Sequence, residues 1–400
     1  MIVLEKVASN AELTDVTPVV SVVMPCLNEE ETLGRCVEKA FRGLENVGLP
    51  GEVIVADNGS TDRSVEIADA GGARVIHVPR QGYGHAYLAG FAAARGRYLV
   101  MGDSDDTYDF TELGQLISPL QSDDHDYVLG SRFQGQILPG AMPWTHQYIG
   151  NPVLTWVLNR LFGLNVSDAH SGMRAFTRDA YDRMQVQSTG MEFASELIIN
   201  AARADLRVTE VPITYYPRGG ESKLRSFRDG WRHLRFMLLR SPDWLFLAPG
   251  LLLLVVGLLL MLALVLGPLP FAGHDWDVHA LILGCLCAVL GAQVLTMGLS
   301  AKAYAYRRWP DARDGIILKF YRHFTLERGL VLGIAAFLVG FGINVAILWV
   351  WLDRNMGPLD AIRPAVAAAT LMIVGTQIFF SSFLLSILDI RTEDQLDGYN

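Results

Sequence analysis

The chain has 400 residues, of which 51% are hydrophobic and 19% charged. That balance excludes disorder, which needs low hydrophobicity and high net charge, and it is unusual for a wholly soluble enzyme. A formal charge of −9 argues against a general nucleic-acid binder, and four cysteines exclude a disulfide-built scaffold.

Met1 to Asp15 carries Glu5, Lys6, Glu12 and Asp15 and has no long apolar core, so no signal peptide is expected there. Val19–Cys26 is a β-branched apolar run followed by polar Asn28-Glu29-Glu30 and a helical pattern. Glu52–Asp57 repeats this, ending in Asn58-Gly59, and Arg74–Val78 and Arg97–Met101 are the next such runs, with helical stretches between them. Short apolar strands alternating with helices predict a parallel α/β sheet, in which ligands sit at the carboxyl ends of the strands. Those ends are acidic here: Glu29-Glu30, Asp57, and Asp103-Ser104-Asp105-Asp106. Like charges gathered on one edge repel, and a divalent cation with a diphosphate would offset that repulsion. Asp103 and Asp105 follow a strand directly and are the candidate metal ligands. The glycines from Gly82 to Gly90 lack dinucleotide-loop spacing, and no Walker lysine, H-E-x-x-H or G-x-S-x-G pattern occurs.

Further along, Glu192 and Glu196 lie one helical turn apart, and with Asp106 they are the candidate bases for a hydroxyl acceptor. From Arg225 to Arg240, Phe227, Trp231, Leu234 and Leu238 form an apolar stripe beside Arg225, Arg228, Arg232 and Arg235. That pattern predicts a helix in the headgroup layer, its arginines offered to an anionic lipid headgroup.

Composition then changes at Ser241-Pro242-Asp243. Residues 1–243 hold 23 basic and 31 acidic groups, whereas Trp244–Phe271, Val278–Ala301, Gly329–Leu352 and Pro364–Leu388 hold none. Each window is long enough to cross a hydrocarbon core of about 30 Å, which predicts four transmembrane helices at about 244–268, 278–301, 329–352 and 364–388. Lys302 to Arg328 holds seven basic residues, the 268–277 turn none, and the last turn only Arg354 and Arg363. The positive-inside rule puts the basic loop, the N-terminal domain and the 391–400 tail in the cytoplasm, as in a bacterial-type inner or plasma membrane.

The motif order is specific. Ser21-Val-Val-Met-Pro25 with Asn28-Glu29 precedes Val55-Ala-Asp57-Asn-Gly-Ser-Thr-Asp62, Gly82-x-Gly84-x-Ala86 and Asp103-Ser-Asp105-Asp106. Gly130-Ser-Arg132, Asp168-Ala-His-Ser-Gly172-Met-Arg174, Glu210-Val-Pro-Ile213 and Gly220-Glu-Ser-Lys-Leu224 follow. Over Val19–Leu224 this resembles the family 2 glycosyltransferases of the GT-A fold, most closely the polyprenyl-phosphate (dolichol-phosphate type) hexosyltransferases. The resemblance implies a Rossmann-like α/β GT-A domain over 1–224, then a juxtamembrane helix over 225–243 and an all-α membrane region over 244–390.

It also implies roles for individual residues. Pro25, Asn28, Glu29, Asp57, Asn58, Asp103 and Ser104 would bind the nucleotide sugar. Asp103 and Asp105 would hold Mg2+ or Mn2+ on the diphosphate, and Arg132, Arg174 and Lys223 would line the phosphates. The family commonly has a second aspartate where this chain has Asn58. The expected reaction moves a hexose from a UDP- or GDP-sugar to a polyprenyl phosphate, with inversion. The expected partners are the donor, the lipid acceptor and the membrane, with no nucleic acid; self-association into a homo-oligomer is compatible with the spans. The rival readings are transfer to a hydroxyl-bearing lipid and a non-catalytic membrane scaffold that keeps the nucleotide fold. A processive polysaccharide synthase is disfavoured, because its Gln-x-x-Arg-Trp motif is missing before the lone Arg308-Trp309 pair.

Overall fold

The computed structural model describes residues 17–219, 226–271, 273–308 and 324–389. The chain forms two compact units, Met1–Met237 and Leu238–Asn400.

The first unit is built on seven strands: β1 (Val20–Cys26), β2 (Gly51–Asp57), β3 (Arg74–His77), β4 (Tyr98–Met101), β5 (Tyr127–Ile137), β6 (Arg174–Thr177) and β7 (Val208–Tyr215). Helices α1 (Leu33–Val47), α2 (Ser64–Ala70), α3 (Tyr83–Ala93), α4 (Leu113–Gln121), α5 (Asn151–Phe162), α6 (Arg178–Met184), α7 (Phe193–Arg203) and α8 (Ser226–Leu239) complete it. The strand order is β3-β2-β1-β4-β6-β5-β7. β1 to β4 run parallel as the sequence predicts, but the sheet is mixed, because β6 lies antiparallel to both β4 and β5.

Alternation along the central strands divides the core into two layers. Val20, Val22 and Met24 of β1 with Val53 and Val55 of β2 face α1 and α4. Val23 and Ile54 face the opposite layer, with Tyr87, Phe91 and Leu197 from α3 and α7. Successive side chains of a strand point to opposite faces, so a strand covered on both sides must be apolar at every position, as Val20–Met24 nearly is. Each such fully buried Val, Leu or Ile contributes about 1.5–3 kcal/mol. β7 is an edge strand, the place where Pro212 costs no ladder hydrogen bond.

Among the described residues, the second unit contains four helices long and apolar enough to cross a membrane: Asp243–Leu264, Val278–Ala305, Leu326–Asp353 and Ile362–Leu388. Many of their leucines and valines are exposed, including Leu252, Leu259, Leu262 and Val331, as lipid-facing positions should be. Small residues bring the helices together. A side chain at Gly257 would collide with the backbone of Gly284 and Ala288, and one at Gly375 with that of Gly333 and Phe337. Lys302 is buried within this unit and donates to Asp243 at 2.5 Å.

A helix forms over Ser226–Leu239, with Arg228, Arg232, Arg235 and Trp231 exposed. His233, Phe236 and Met237 face the first unit, where Phe236 and Met237 join the core around α7. Arg225, Lys223 and the whole Gly220–Leu224 motif lie outside the described residues, as do the 391–400 tail and most of the basic loop.

Candidate active site

Topology decides which residues meet. β1, β2 and β4 end at one edge of the sheet, since Cys26 pairs with Asp57 and Val23 with Met101. β6 runs the other way and begins opposite Met101 at Arg174, so the segment before it, Asp168–Met173, arrives at the same edge. β5 and β7 run with β4 and send Ser131-Arg132 and Tyr216-Arg218 there as well.

At this edge the acidic clusters converge. Asp105 Oδ1 accepts from Thr107 N (3.2 Å) and Thr107 Oγ1 (2.6 Å), which leaves Oδ2 facing Arg218 Nη1 at 3.2 Å. Arg218 also donates to Glu29 at 3.0 Å. Its Nε is buried with no hydrogen-bond partner among the described residues. Asp103 accepts from Tyr83 (2.9 Å) and Tyr87 (3.4 Å). Burial and the neighbouring Asp105 push the Asp103 carboxyl up to about 7. The backbone of Gly172 closes over it so tightly that a Cβ there would sit 2.7 Å from Asp103 Oδ2. Two carboxylates, one of them raised by its neighbour, form a hard-oxygen donor pair with surplus negative potential. That chemistry fits a divalent cation whose remaining ligands come from a bound diphosphate.

The loops after β1 and β2 are interlocked. Asn28, with φ 53°, accepts from Thr61 N at 2.8 Å, and its own N–H donates to Ser60 Oγ at 3.0 Å. Asp57 is buried and accepts from Ser60 N at 3.0 Å. Ser104 Oγ donates to Pro25 O at 2.6 Å, tying the ends of β1 and β4. Asn58 accepts from Gly82 N (2.7 Å) and donates to Arg80 O (2.8 Å). An aspartate there could keep the first bond but would set a carboxylate against the Arg80 carbonyl. Asn58→Asp is therefore expected to cost about 1–3 kcal/mol, read as a lower thermal midpoint of the purified protein.

The other site residues named from the sequence have these surroundings. Arg132 is buried, forms a two-pronged pair with Asp168 (2.7 and 2.7 Å) and stacks on Tyr215 at 5.1 Å. Burial opposes its charge, but Asp168 outweighs that and holds the guanidinium above its ordinary range. Arg174 is fully buried and donates to Ser171 O, Ala169 O, Ala194 O and Tyr127 Oη. Both guanidiniums are thus held by protein groups on several elements. Asp106, a candidate base, pairs with Arg35 (2.9 Å) and Lys39 (2.7 Å) of α1. Glu196 is fully buried, and its carboxylate accepts from Gln187 N (3.0 Å) and Ser188 N (2.6 Å). It fixes the loop against which Gly82 and Gly84 pack, so those glycines serve close approach to Ser188 and Thr189. Glu192, at the start of α7, curls back over Gly190.

Sequence reasoning missed Arg218, Tyr83, Tyr108 and His170. Arg218 had a signal, since it is the last cation before the Gly220–Leu224 motif. Tyr108 donates no such signal; its hydroxyl accepts from Gly172 N at 2.7 Å. The His170 ring packs edge-on to His233 at 4.9 Å, and its two buried nitrogens have no hydrogen-bond partner among the described residues. Burial, with His233, Arg132 and Arg174 nearby, pushes its pKa well down, so the ring is neutral.

A mixed α/β sheet of this strand order, with an Asp-x-Asp pair after β4 and an apolar helical bundle behind it in the chain, fits the membrane-associated GT-A glycosyltransferase that the motif order resembles. Residues 21–184 match the glycosyl transferase family 2 model, and residues 299–389 match the family 2 C-terminal transmembrane region. The chain is 44% identical over 375 residues to a low-salt glycan biosynthesis hexosyltransferase of Haloferax volcanii, covering 94% of this chain and 90% of that protein. It therefore belongs to glycosyltransferase family 2 and is an enzyme of that family with a membrane-spanning C-terminal region. A dolichyl-phosphate hexose transferase of the same organism is 37% identical over 213 residues, 52% of this chain and 88% of the relative. Among solved structures, glucosyl-3-phosphoglycerate synthase from Mycobacterium tuberculosis with Mn2+, UDP and glucosyl-3-phosphoglycerate aligns with TM-score 0.45 and 24% identity, over 56% of this chain and 80% of that one.

Proposed function

We propose that the enzyme moves a hexose from a UDP- or GDP-sugar to a polyprenyl phosphate at the cytoplasmic face of the membrane, inverting the anomeric carbon. In this reading residues 1–224 are the catalytic domain, 225–243 the juxtamembrane helix and 244–390 the membrane anchor. The observation that carries it is the convergence of Asp57, Glu29, Asp103, Asp105 and Arg218 at one sheet edge. Pro25, Asn28, Glu29, Asp57, Asn58 and Ser104 would border the nucleotide, and Asp103 and Asp105 would hold Mg2+ or Mn2+. When bound, the cation would neutralise charge on the departing nucleoside diphosphate. Arg218 now sits against Asp105 and Glu29, so it is the mobile-length cation best placed to turn toward that diphosphate.

The commitments of two of the three candidate bases favour a phosphate acceptor. A hydroxyl nucleophile needs a base, yet Asp106 is held by two cations and Glu196 by two backbone amides. An acceptor phosphate is already ionised near neutral pH, and the protein then has only to align it with the donor. Similarity to the dolichyl-phosphate hexose transferase supports the same acceptor class. Orientation rests on basic residues: Lys302 to Arg328 holds seven, whereas the 268–277 turn holds none and the last turn only Arg354 and Arg363.

The test is incubation of the purified protein in detergent with a panel of UDP- and GDP-hexoses and undecaprenyl or dolichyl phosphate, with and without EDTA. Sugar transfer to the phospholipid acceptor, lost in EDTA and restored by Mg2+ or Mn2+, is expected. Turnover with diacylglycerol but none with the polyprenyl phosphates would sink the acceptor assignment.

A further inference from the structure

Hydrocarbon satisfies no hydrogen bond, so a side-chain amide is costly wherever a membrane helix shows it to lipid. The second span, Val278–Ala305, shows one: Gln293 lies near its middle and is exposed. Its Oε1 accepts from Gln377 Nε2 of the fourth span at 3.1 Å. That bond uses only the carbonyl end. No described residue accepts from Gln293 Nε2, and Gln377 Oε1 is buried without a hydrogen-bond partner among the described residues.

The amide sits within an ordered stripe. Positions 283, 286, 290, 293, 297, 300 and 304 alternate by three and four residues. Leu283 is 53% exposed, Leu286 54%, Leu290 51%, Met297 51% and Tyr304 64%. The opposite face is closed, with Leu281, Cys285, Ala288 and Ala292 buried and Gly284 and Gly291 against Leu260 and Leu254 of the first span. A repeat of three and four is the seam spacing of paired helices, in which a single polar residue fixes register and strand number. Spacing alone decides nothing here, because exposed Leu251, Val255, Leu258 and Leu262 of the first span repeat in the same way. Those four are aliphatic, as lipid requires. The second span differs by its amide.

We propose that the second span is a self-association helix, along which two copies of the chain meet in a two-fold contact locked at mid-bilayer by Gln293. A lipid cannot be the occupant that satisfies this amide. Acyl and isoprenoid tails have no acceptor at that depth, and a lipid phosphate lies at the headgroup level, roughly 15 Å away. A second copy has the missing group. Copies inserted the same way meet in parallel, each residue opposite itself, so the two Gln293 side chains face one another. Gln293 Oε1 has two lone pairs and takes one bond from Gln377, so it can also accept from Nε2 of the second copy, and the exchange is reciprocal.

The test uses the full chain, labelled at its N-terminus in separate donor and acceptor batches and reconstituted together in phosphatidylcholine–phosphatidylglycerol vesicles. Energy transfer is followed as the protein is diluted into lipid. The unmutated chain is expected to follow a dimer curve, and Gln293→Leu to need about tenfold more protein per lipid for the same transfer. Gln377→Leu removes the bond within one chain but leaves Gln293 in the seam, so its curve should stay with the parent's. A second readout keeps Gln293 in place. Leu290→Cys and Met297→Cys are expected to give disulfide-linked dimers on oxidation, with Leu259→Cys on the first span no better than the unmutated chain. Should Gln293→Leu not fold, this readout decides alone. Unchanged association of a folded Gln293→Leu, or an equal loss from Gln377→Leu, overturns the proposal. So does transfer no greater than random proximity in the unmutated chain, or cross-linking at 259 as efficient as at 290 and 297. None of these readouts involves sugar transfer, so they stand whatever the donor and acceptor prove to be.

Discussion

Asp105→Asn is expected to lower sugar transfer about a thousandfold, roughly 4 kcal/mol in the barrier, while the protein stays folded. The substituted amide keeps an oxygen for the two Thr107 bonds, and Arg218 keeps Glu29 as its partner, so the local structure has few reasons to collapse. What is lost is the anionic Oδ2, the one oxygen of Asp105 not already committed to Thr107. Without it a cation on the diphosphate is left with Asp103 alone from this pair. The check is kcat/KM for transfer to polyprenyl phosphate at saturating Mn2+, with thermal unfolding recorded in parallel. A folded variant that keeps a tenth or so of the parent rate would remove Asp105 from the cation site.

How far this site could be read beforehand differs from residue to residue. Val19–Cys26 and Glu52–Asp57 are legible because strands covered on both faces are continuous apolar runs, and the structure places β1 and β2 there. Asp103 and Asp105 are legible because they follow such a run directly. β6 is not: it has four residues, opens on an arginine, and gains its place only by pairing with β4 and β5 from distant parts of the chain. β7 hides behind Thr209, Glu210 and Pro212, acceptable only because the strand lies at the sheet edge.

Side-chain roles are less legible still, because a motif names a residue without naming its partner. That Asp168, 36 residues on, holds Arg132 could not be read from the motif. Glu196 reads as a surface base until its carboxylate is found under the 187–188 amides. The charge-free membrane windows are the opposite case, since their signal is local and needs no partner.

Arg174→Ala is expected to be the more damaging substitution for folding, although the motif order would count it among the catalytic residues. Its guanidinium is fully buried and spans the start of β6, the 169–171 loop, α7 and β5 through bonds of 2.6 to 2.9 Å. Among the described residues no carboxylate pairs with it; three carbonyls and the Tyr127 hydroxyl receive its protons. Removing it strands those acceptors at about 1–3 kcal/mol apiece where water cannot reach, and it empties the volume of a long side chain. A loss of at least about 4 kcal/mol follows, a large share of the 5–15 kcal/mol that holds a typical domain together. Arg174→Lys can restore one or two of the four bonds and should fall between. The measurement is the urea midpoint of the first unit, followed by limited proteolysis, beside kcat and acceptor KM per folded molecule. If the role is architectural, the lysine variant loses stability while the surviving folded fraction keeps its acceptor KM. A lysine variant of unchanged urea midpoint with a strongly raised acceptor KM would instead return Arg174 to the phosphate-binding lining, and would mean that the guanidinium leaves its four partners when substrate arrives.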